Sequence, residues 1–212
     1  MTRNTDPFAV DLTPDLVLRA YRQGVFPMAE GARSRGLFWV DPDTRGIIPL
    51  DGLHISRSLR KSLRRSDWTV RIDTDFNKVI RACAARGKGR QETWINADIV
   101  ALYTELFRIG HCHTVEVWHE EKLVGGLYGL SIGGAFFGES MFHTETDASK
   151  VALVRLVERL KAGGFSLLDT QFMTDHLRSL GGIEISRTAY HRLLRAALTR
   201  KGDFRTLDQA QP

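Results

Sequence analysis

Three polar residues sit where chemistry is a better explanation than solvation. Glu139 interrupts the apolar run Ala135-Phe136-Phe137-Gly138-Glu139-Ser140-Met141-Phe142, beside a glycine. A carboxylate among such neighbours is costly unless a specific partner meets it, so Glu139 belongs either to a reactive site or to an ion pair inside the core. Asp169 and Gln171 lie in Phe165-Ser166-Leu167-Leu168-Asp169-Thr170-Gln171, where a two-residue period puts Phe165, Leu167, Asp169 and Gln171 on one face. They close an otherwise apolar face at the carboxyl end of a strand, the place where open α/β sheets bind ligands. The alternative is a solvated strand end that only starts a turn. A carboxylate can take or hold a proton, and a neutral amide can hydrogen-bond a carbonyl.

The elements that must carry these groups follow from the local pattern. Residues 123–132 alternate as a strand, Gly133-Gly134 permits the positive φ angles of a tight turn, and residues 135–142 return alongside. Asp147 or a nearby hydroxyl is placed to cap a helix in which Leu153, Leu156, Val157 and Leu160 recur at helical spacing, and Gly163-Gly164 ends it. Residues 165–171 then complete a strand–helix–strand crossover.

Upstream, a helix is expected within residues 11–24, capped by Thr13, with Pro14 in its first turn and Leu16, Val17, Ala20 and Tyr21 as its apolar stripe. Residues 26–49 read as irregular loop with a brief strand near 38–40. A small amino-terminal lobe is therefore placed at residues 1–52 and a larger α/β domain at residues 53–212. Within Ile55-Ser56-Arg57-Ser58-Leu59-Arg60-Lys61-Ser62-Leu63-Arg64, helical spacing gathers Arg57, Arg60, Lys61 and Arg64 on one face and Ile55, Leu59 and Leu63 on the other. Such a face can bind a nucleic-acid backbone without reading sequence, or can simply be solvated. Residues 86–92 read as a mobile polar loop, and Trp94 beside it as an anchor or a ligand contact. Asn96 is expected to cap a helix with Ile99, Leu102, Tyr103 and Leu106 inward. His111-Cys112-His113 lacks further ligands at zinc-like spacing, so no metal site is expected. Asp175 is expected to cap a short helix and Ser186 a final one, with Tyr190, Leu193, Leu194, Ala197 and Leu198 inward. The tail from residue 201 is expected to be loosely ordered.

The chain has 212 residues and a formal net charge of +5, with an isoelectric point near 9.5, which permits an anionic partner. Cys83 and Cys112 form no C-x-x-C pair and suit a reducing compartment. No apolar run approaches bilayer length and no signal peptide is evident, so a cytoplasmic protein without membrane association is expected.

Several short motifs, in order and at near-constant spacing over residues 11–190, resemble the leucyl/phenylalanyl-tRNA–protein transferases. They are Phe137-Gly138-Glu139-Ser140-Met141-Phe142, the preceding Leu-Val-Gly-Gly-x-Tyr-Gly run, Leu168-Asp169-x-Gln171, Tyr21-Arg22-Gln23-Gly24-Val25-Phe26-Pro27, Leu53-His54-Ile55-Ser56-Arg57-Ser58 and Thr93-Trp94-Ile95. The resemblance implies an acyltransferase-like (GNAT-type) mixed-sheet α/β domain with a small amino-terminal lobe. It implies transfer of Leu or Phe from leucyl- or phenylalanyl-tRNA to proteins with amino-terminal Arg or Lys, marking them for degradation, with no cofactor and as a monomer. By match to the family, Asp169 and Gln171 are catalytic: the carboxylate helps to polarise or deprotonate the amine, directly or through the Gln171 amide, or the amide fixes the ester carbonyl. Glu139 lies in the substrate site, Leu127, Phe136, Met141, Leu153, Leu156 and Leu168 match the pocket for the donor side chain, and Trp94 shapes the same site. Met28 stands where many members carry a Trp against the terminal adenosine, and a thioether stacks on a base more weakly. Arg57, Arg60, Lys61 and Arg64 would meet the tRNA backbone. Two other readings are a coenzyme-A-dependent N-acyltransferase, disfavoured because residues 143–150 contain no glycine for a pyrophosphate turn, and a noncatalytic RNA-binding protein, which leaves Glu139, Asp169 and Gln171 unexplained.

Overall fold

The computed structural model describes residues 12–32, 34, 37–85 and 93–208. The expectations for residues 1–11 and for the loop at 86–92 lie outside the described residues. A seven-stranded sheet runs in the order β4-β5-β6-β7-β8-β3-β9, and a separate ribbon pairs β1 with β2. The strands are β1 (Phe26–Met28), β2 (Phe38–Val40), β3 (Thr44–Ile47), β4 (Trp68–Ile72), β5 (Cys112–His119), β6 (Lys122–Ile132), β7 (Ala135–His143), β8 (Leu167–Gln171) and β9 (Ile183–Ser186). The helices are α1 (Pro14–Arg22), α2 (Arg57–Ser62), α3 (Phe76–Ala84), α4 (Ala97–Arg108), α5 (Ala148–Ala162), α6 (Asp175–Ser179) and α7 (Arg187–Leu198). Among the described residues no helix is long and apolar enough to cross a membrane.

The expected hairpin forms between β6 and β7, with Ile132 opposite Ala135 and Gly133 at φ 57°. α5 carries the chain across to β8, which pairs parallel to β7, the one parallel pairing among the described residues. The segment assigned to the amino-terminal lobe contributes β3 to this sheet, antiparallel to both β8 and β9. β3 reads Thr-Arg-Gly-Ile, a sequence with little strand character; its pairing on both sides makes it a strand.

Because strand side chains alternate, the sheet has two cores. One unites Tyr21, Val79, Tyr103, Tyr128, Phe137, Leu167 and Tyr190 under α1, α3, α4 and α7. The other unites Leu59, Leu127, Phe136, Leu153, Leu156 and Leu168 beneath α5 and α2. α5 is buried almost all round, Ser149 and Arg159 included, which the four-residue stripe alone does not indicate.

Several local expectations are corrected. Asp147 does not cap α5: it sits at φ 67°, and its carboxylate accepts from Ser62 Oγ (3.1 Å) and Lys150 Nζ (2.8 Å). Thr174, not Asp175, caps α6. Leu193 is 40% exposed rather than inward. Residues 201–208 are an ordered strap, since Phe204 is buried between Phe136 and His113, and Arg159 donates to its carbonyl at 2.7 Å.

Candidate active site

Asp169, Gln171 and Glu139 converge where β7 and β8 part. Their pairing ends at Phe137 opposite Asp169. On β7 the register against β6 shifts by one residue: Gly129 faces Gly138 and Tyr128 faces Ser140. Glu139 is therefore the extra residue of a β-bulge, a device that re-aims a side chain. On the other strand, β8 ends with Gln171 at φ 57°, an uncommon conformation for a residue with a side chain. Gly46 on β3 lets that end approach, because a Cβ there would lie 2.9 Å from the Phe172 carbonyl carbon.

Asp169 is 0% exposed and fully engaged. Arg45 grips it with two nitrogens, Nε to Oδ1 at 2.9 Å and Nη2 to Oδ2 at 2.7 Å. Tyr190 donates to Oδ2 at 2.7 Å, and the Gln171 backbone N–H donates to Oδ1 at 2.8 Å. Arg45 lies between the rings of Phe26 and Tyr190 (4.6 and 4.4 Å) and donates to Gly24 O at 2.8 Å. Burial disfavours its charge, but the adjacent Asp169 more than offsets this and raises its affinity for the proton. One Asp169 oxygen thus fixes the Gln171 backbone.

Glu139 keeps part of its surface open. Tyr21 Oη lies 2.7 Å from Oε1, Tyr103 Oη 3.1 Å from Oε2 and the two hydroxyls 2.5 Å apart, three contacts among which the two hydroxyl protons and any proton on Glu139 are shared. Gln171 Nε2 stands 3.3 Å from Oε1. Burial pushes the Glu139 carboxyl up to about 8, against the pull of the two phenolic hydroxyls, so at neutral pH it mostly carries a proton. Burial also drives Tyr21 and Tyr103 well above the ordinary tyrosine range, with Glu139 adding to it, which keeps both as hydrogen-bond donors.

The other expected residues fall into three groups. Leu127, Phe136, Leu153, Leu156 and Leu168 are buried and Met141 half-buried in the α5 core, so they share one face of the sheet. Asp169 and Gln171 alternate with Leu168 and so project from the opposite face. Met28 and Trp94 are half-buried against the core that contains Tyr21 and Tyr103; Met28 pairs with Phe38, which is 44% exposed. Arg57, Arg60, Lys61 and Arg64 are all exposed, and among the described residues none has a carboxylate partner. His113 is occupied by Asp73 (2.9 Å) and Ser131 Oγ (3.1 Å). A cleft of about 400 Å³ between β4, α5 and the strap contains none of these residues, and its Arg155 and Arg159 already pair with Glu158 and Asp208.

Sequence reasoning missed the supporting layer. Tyr21, Tyr103 and Tyr190 were legible as inward residues, and a buried tyrosine hydroxyl needs a partner; that was the available signal. Nothing in the sequence around Arg45 marks it.

A family model described as leucyl/phenylalanyl-tRNA protein transferase matches residues 47–195, and a model of that family's N-terminal domain matches residues 10–43. The chain belongs to the leucyl/phenylalanyl-tRNA–protein transferase family. A leucyl/phenylalanyl-tRNA–protein transferase of Rhodospirillum rubrum is 58% identical over 195 residues, covering 92% of each chain. One of Afipia carboxidovorans is 55% identical over 207 residues, covering 98% of this chain and 91% of its own. The transferase is therefore an enzyme with an aminoacyl-tRNA donor and protein substrates, which sets aside the noncatalytic reading. Its fold is similar to the crystal structure of FemX, with a TM-score of 0.51 at 10% identity over 84% of this chain and 70% of that one, in keeping with an acyltransferase-like mixed sheet.

Proposed function

We propose that this transferase moves Leu or Phe from its tRNA ester to the α-amino group of proteins beginning with Arg or Lys, in the cytoplasm and as a monomer, and so marks them for degradation. The observation that carries the site assignment is the Arg45–Asp169–Tyr190 assembly, whose hydrogen bonds are spent on holding Gln171. An aminoacyl ester is already activated, so the enzyme has to orient an amine, remove a proton and stabilise the tetrahedral oxyanion. Asp169 has no free side to offer an amine and acts as a positioning residue. The Gln171 amide meets the reacting groups. Glu139 faces the same space. Leu127, Phe136, Met141, Leu153, Leu156 and Leu168 receive the donor side chain from the α5 face. An unbranched, flexible Met141 suits both Leu and Phe. Met28 stands at the position that meets the terminal adenosine, Trp94 shapes the substrate site, and Arg57, Arg60, Lys61 and Arg64 hold the tRNA backbone.

Purified protein mixed with Phe-tRNA and peptides beginning with Arg, Lys, Ala or Glu tests this directly. Phe should appear on the Arg and Lys peptides and not on the others. Equal transfer to all four would remove the acceptor assignment, and no transfer above background would remove the reaction.

A further inference from the structure

Apolar side chains exposed one at a time are ordinary on a protein surface, whereas several together mark a place that binds. Among the described residues the large aromatic side chains left exposed are Phe38, Trp39 and Phe172. All three lie on the β1–β2 ribbon or just beyond Gln171, and Phe38 and Phe172 belong to one apolar strip. In the ribbon Met28 is opposite Phe38 and Phe26 is opposite Val40, so these four side chains leave the same face. Trp39, opposite Pro27, leaves the other. Phe26 is buried, and Met28 and Val40 pack half-buried against the core that contains Tyr21 and Tyr103. Phe38 stays open. The Phe172 ring meets the Phe26 ring edge-on, with centroids 5.7 Å apart, and is 46% exposed.

This strip adjoins the candidate active site. The Arg45 guanidinium that grips Asp169 lies 4.6 Å from the centre of the Phe26 ring. Phe172 directly follows Gln171, the residue at φ 57°. Gly46 admits its backbone, because a Cβ there would lie 2.9 Å from the Phe172 carbonyl carbon and 3.0 Å from Met173 N. Phe172 thus has a closely packed backbone and an open ring. Phe26, which Phe172 touches, and Met28, which Phe38 pairs, are two residues apart on β1, about 7 Å. The strip therefore offers two aromatic faces.

The chemistry of the strip selects its occupant. None of Phe26, Met28, Phe38, Val40 and Phe172 carries a charge, so they offer no carboxylate to the Lys or Arg side chain of an acceptor. An aminoacyl-tRNA carries its amino acid at the end of an unpaired single strand, and every unpaired base has π faces to cover. Exposed aromatic rings bind such bases by stacking.

We propose that Phe172 and Phe38 stack the last two bases of the donor tRNA: the terminal base at the Phe172 end of the strip, with Met28 at its far edge, and the preceding base on Phe38. This rests on the transfer reaction proposed above and extends its donor site by one nucleotide.

The test is equilibrium binding to full-length protein of three stable donor analogues, each with an amide in place of the ester: phenylalanyl-adenosine, the phenylalanyl form of the dinucleotide cytidylyl-adenosine, and that dinucleotide without its cytosine base. The dinucleotide should bind about tenfold more tightly than the nucleoside, as one stacked base provides, and loss of the cytosine should return it to the nucleoside's affinity. In Phe38→Leu, which keeps apolar bulk and removes the ring, the gain should vanish, and Phe38→Tyr should keep it. Phe172→Leu should weaken nucleoside and dinucleotide alike by about tenfold. Both side chains are open to solvent, so neither substitution empties a core position. In transfer of Phe from Phe-tRNA to an Arg peptide, each Leu variant should raise KM for Phe-tRNA about tenfold and leave kcat within about twofold. Equal binding of nucleoside and dinucleotide to the wild type, a gain that survives loss of the cytosine, or unchanged binding in either Leu variant would overturn the proposal. So would a raised KM for the Arg peptide in place of Phe-tRNA. If the wild type forms no product, the transfer reading fails while the binding measurements still decide the role of the two rings.

Discussion

Arg45 determines whether the centre is a site or a fault in the core. It is 1% exposed beside a carboxylate that is 0% exposed, and two buried ions are tolerable only as a well-formed, fully hydrogen-bonded pair. Arg45→Met leaves Asp169 without its cation, so unfolding in urea should show a loss of about 3–5 kcal/mol; a loss below about 1 kcal/mol would mean that Asp169 is held by other groups. Arg45→Lys should not restore stability, because one ammonium cannot supply the two-nitrogen grip and also reach Gly24. At this scale the sequence revealed the carboxylates and the amide because each breaks an apolar pattern. It did not reveal their partners. Arg45 lies 124 positions from Asp169 and Tyr21 lies 118 from Glu139, distances over which no periodicity operates.

Elements divide the work between the two faces of the sheet. α2 lays Leu59 into the α5 core and leaves Arg57, Arg60 and Lys61 in solvent, with Arg64 exposed in the turn that follows it. Cations so exposed add little to stability, and under the proposed function they meet the tRNA backbone. Arg60→Ala with Arg64→Ala should reduce the salt dependence of KM for Phe-tRNA by a slope of about one per lost phosphate contact, with stability changed by no more than about 0.5 kcal/mol. An unaltered slope would move the tRNA contact elsewhere. The hairpin, the crossover and most caps were legible because alternation, helical spacing and Gly-Gly pairs are local signals. The bulge at Glu139 was not, since which residue is extra depends on the partner strand. β3 was not, since its pairing with β8 and β9 alone makes it a strand.

For the whole molecule, the decisive feature is that chain segments far apart in sequence meet at the open end of β7 and β8. α1 supplies Tyr21, β3 supplies Arg45, α4 supplies Tyr103 and α7 supplies Tyr190. The fold class was accessible from motifs in register, whereas the separation of the apolar group from Asp169 and Gln171 on opposite faces emerged only with the sheet order. Under the proposed function the Gln171 amide is the point where this assembly meets substrate. The most direct measurement is the single-turnover rate of Phe transfer from Phe-tRNA to an Arg peptide by Gln171→Met, beside equilibrium binding of the same donor. The rate constant should fall about 100-fold, as expected when a preorganised hydrogen-bonding group is removed, while donor affinity stays within about threefold of wild type. An undiminished rate, or a loss of donor affinity as large as the loss of rate, would contradict it.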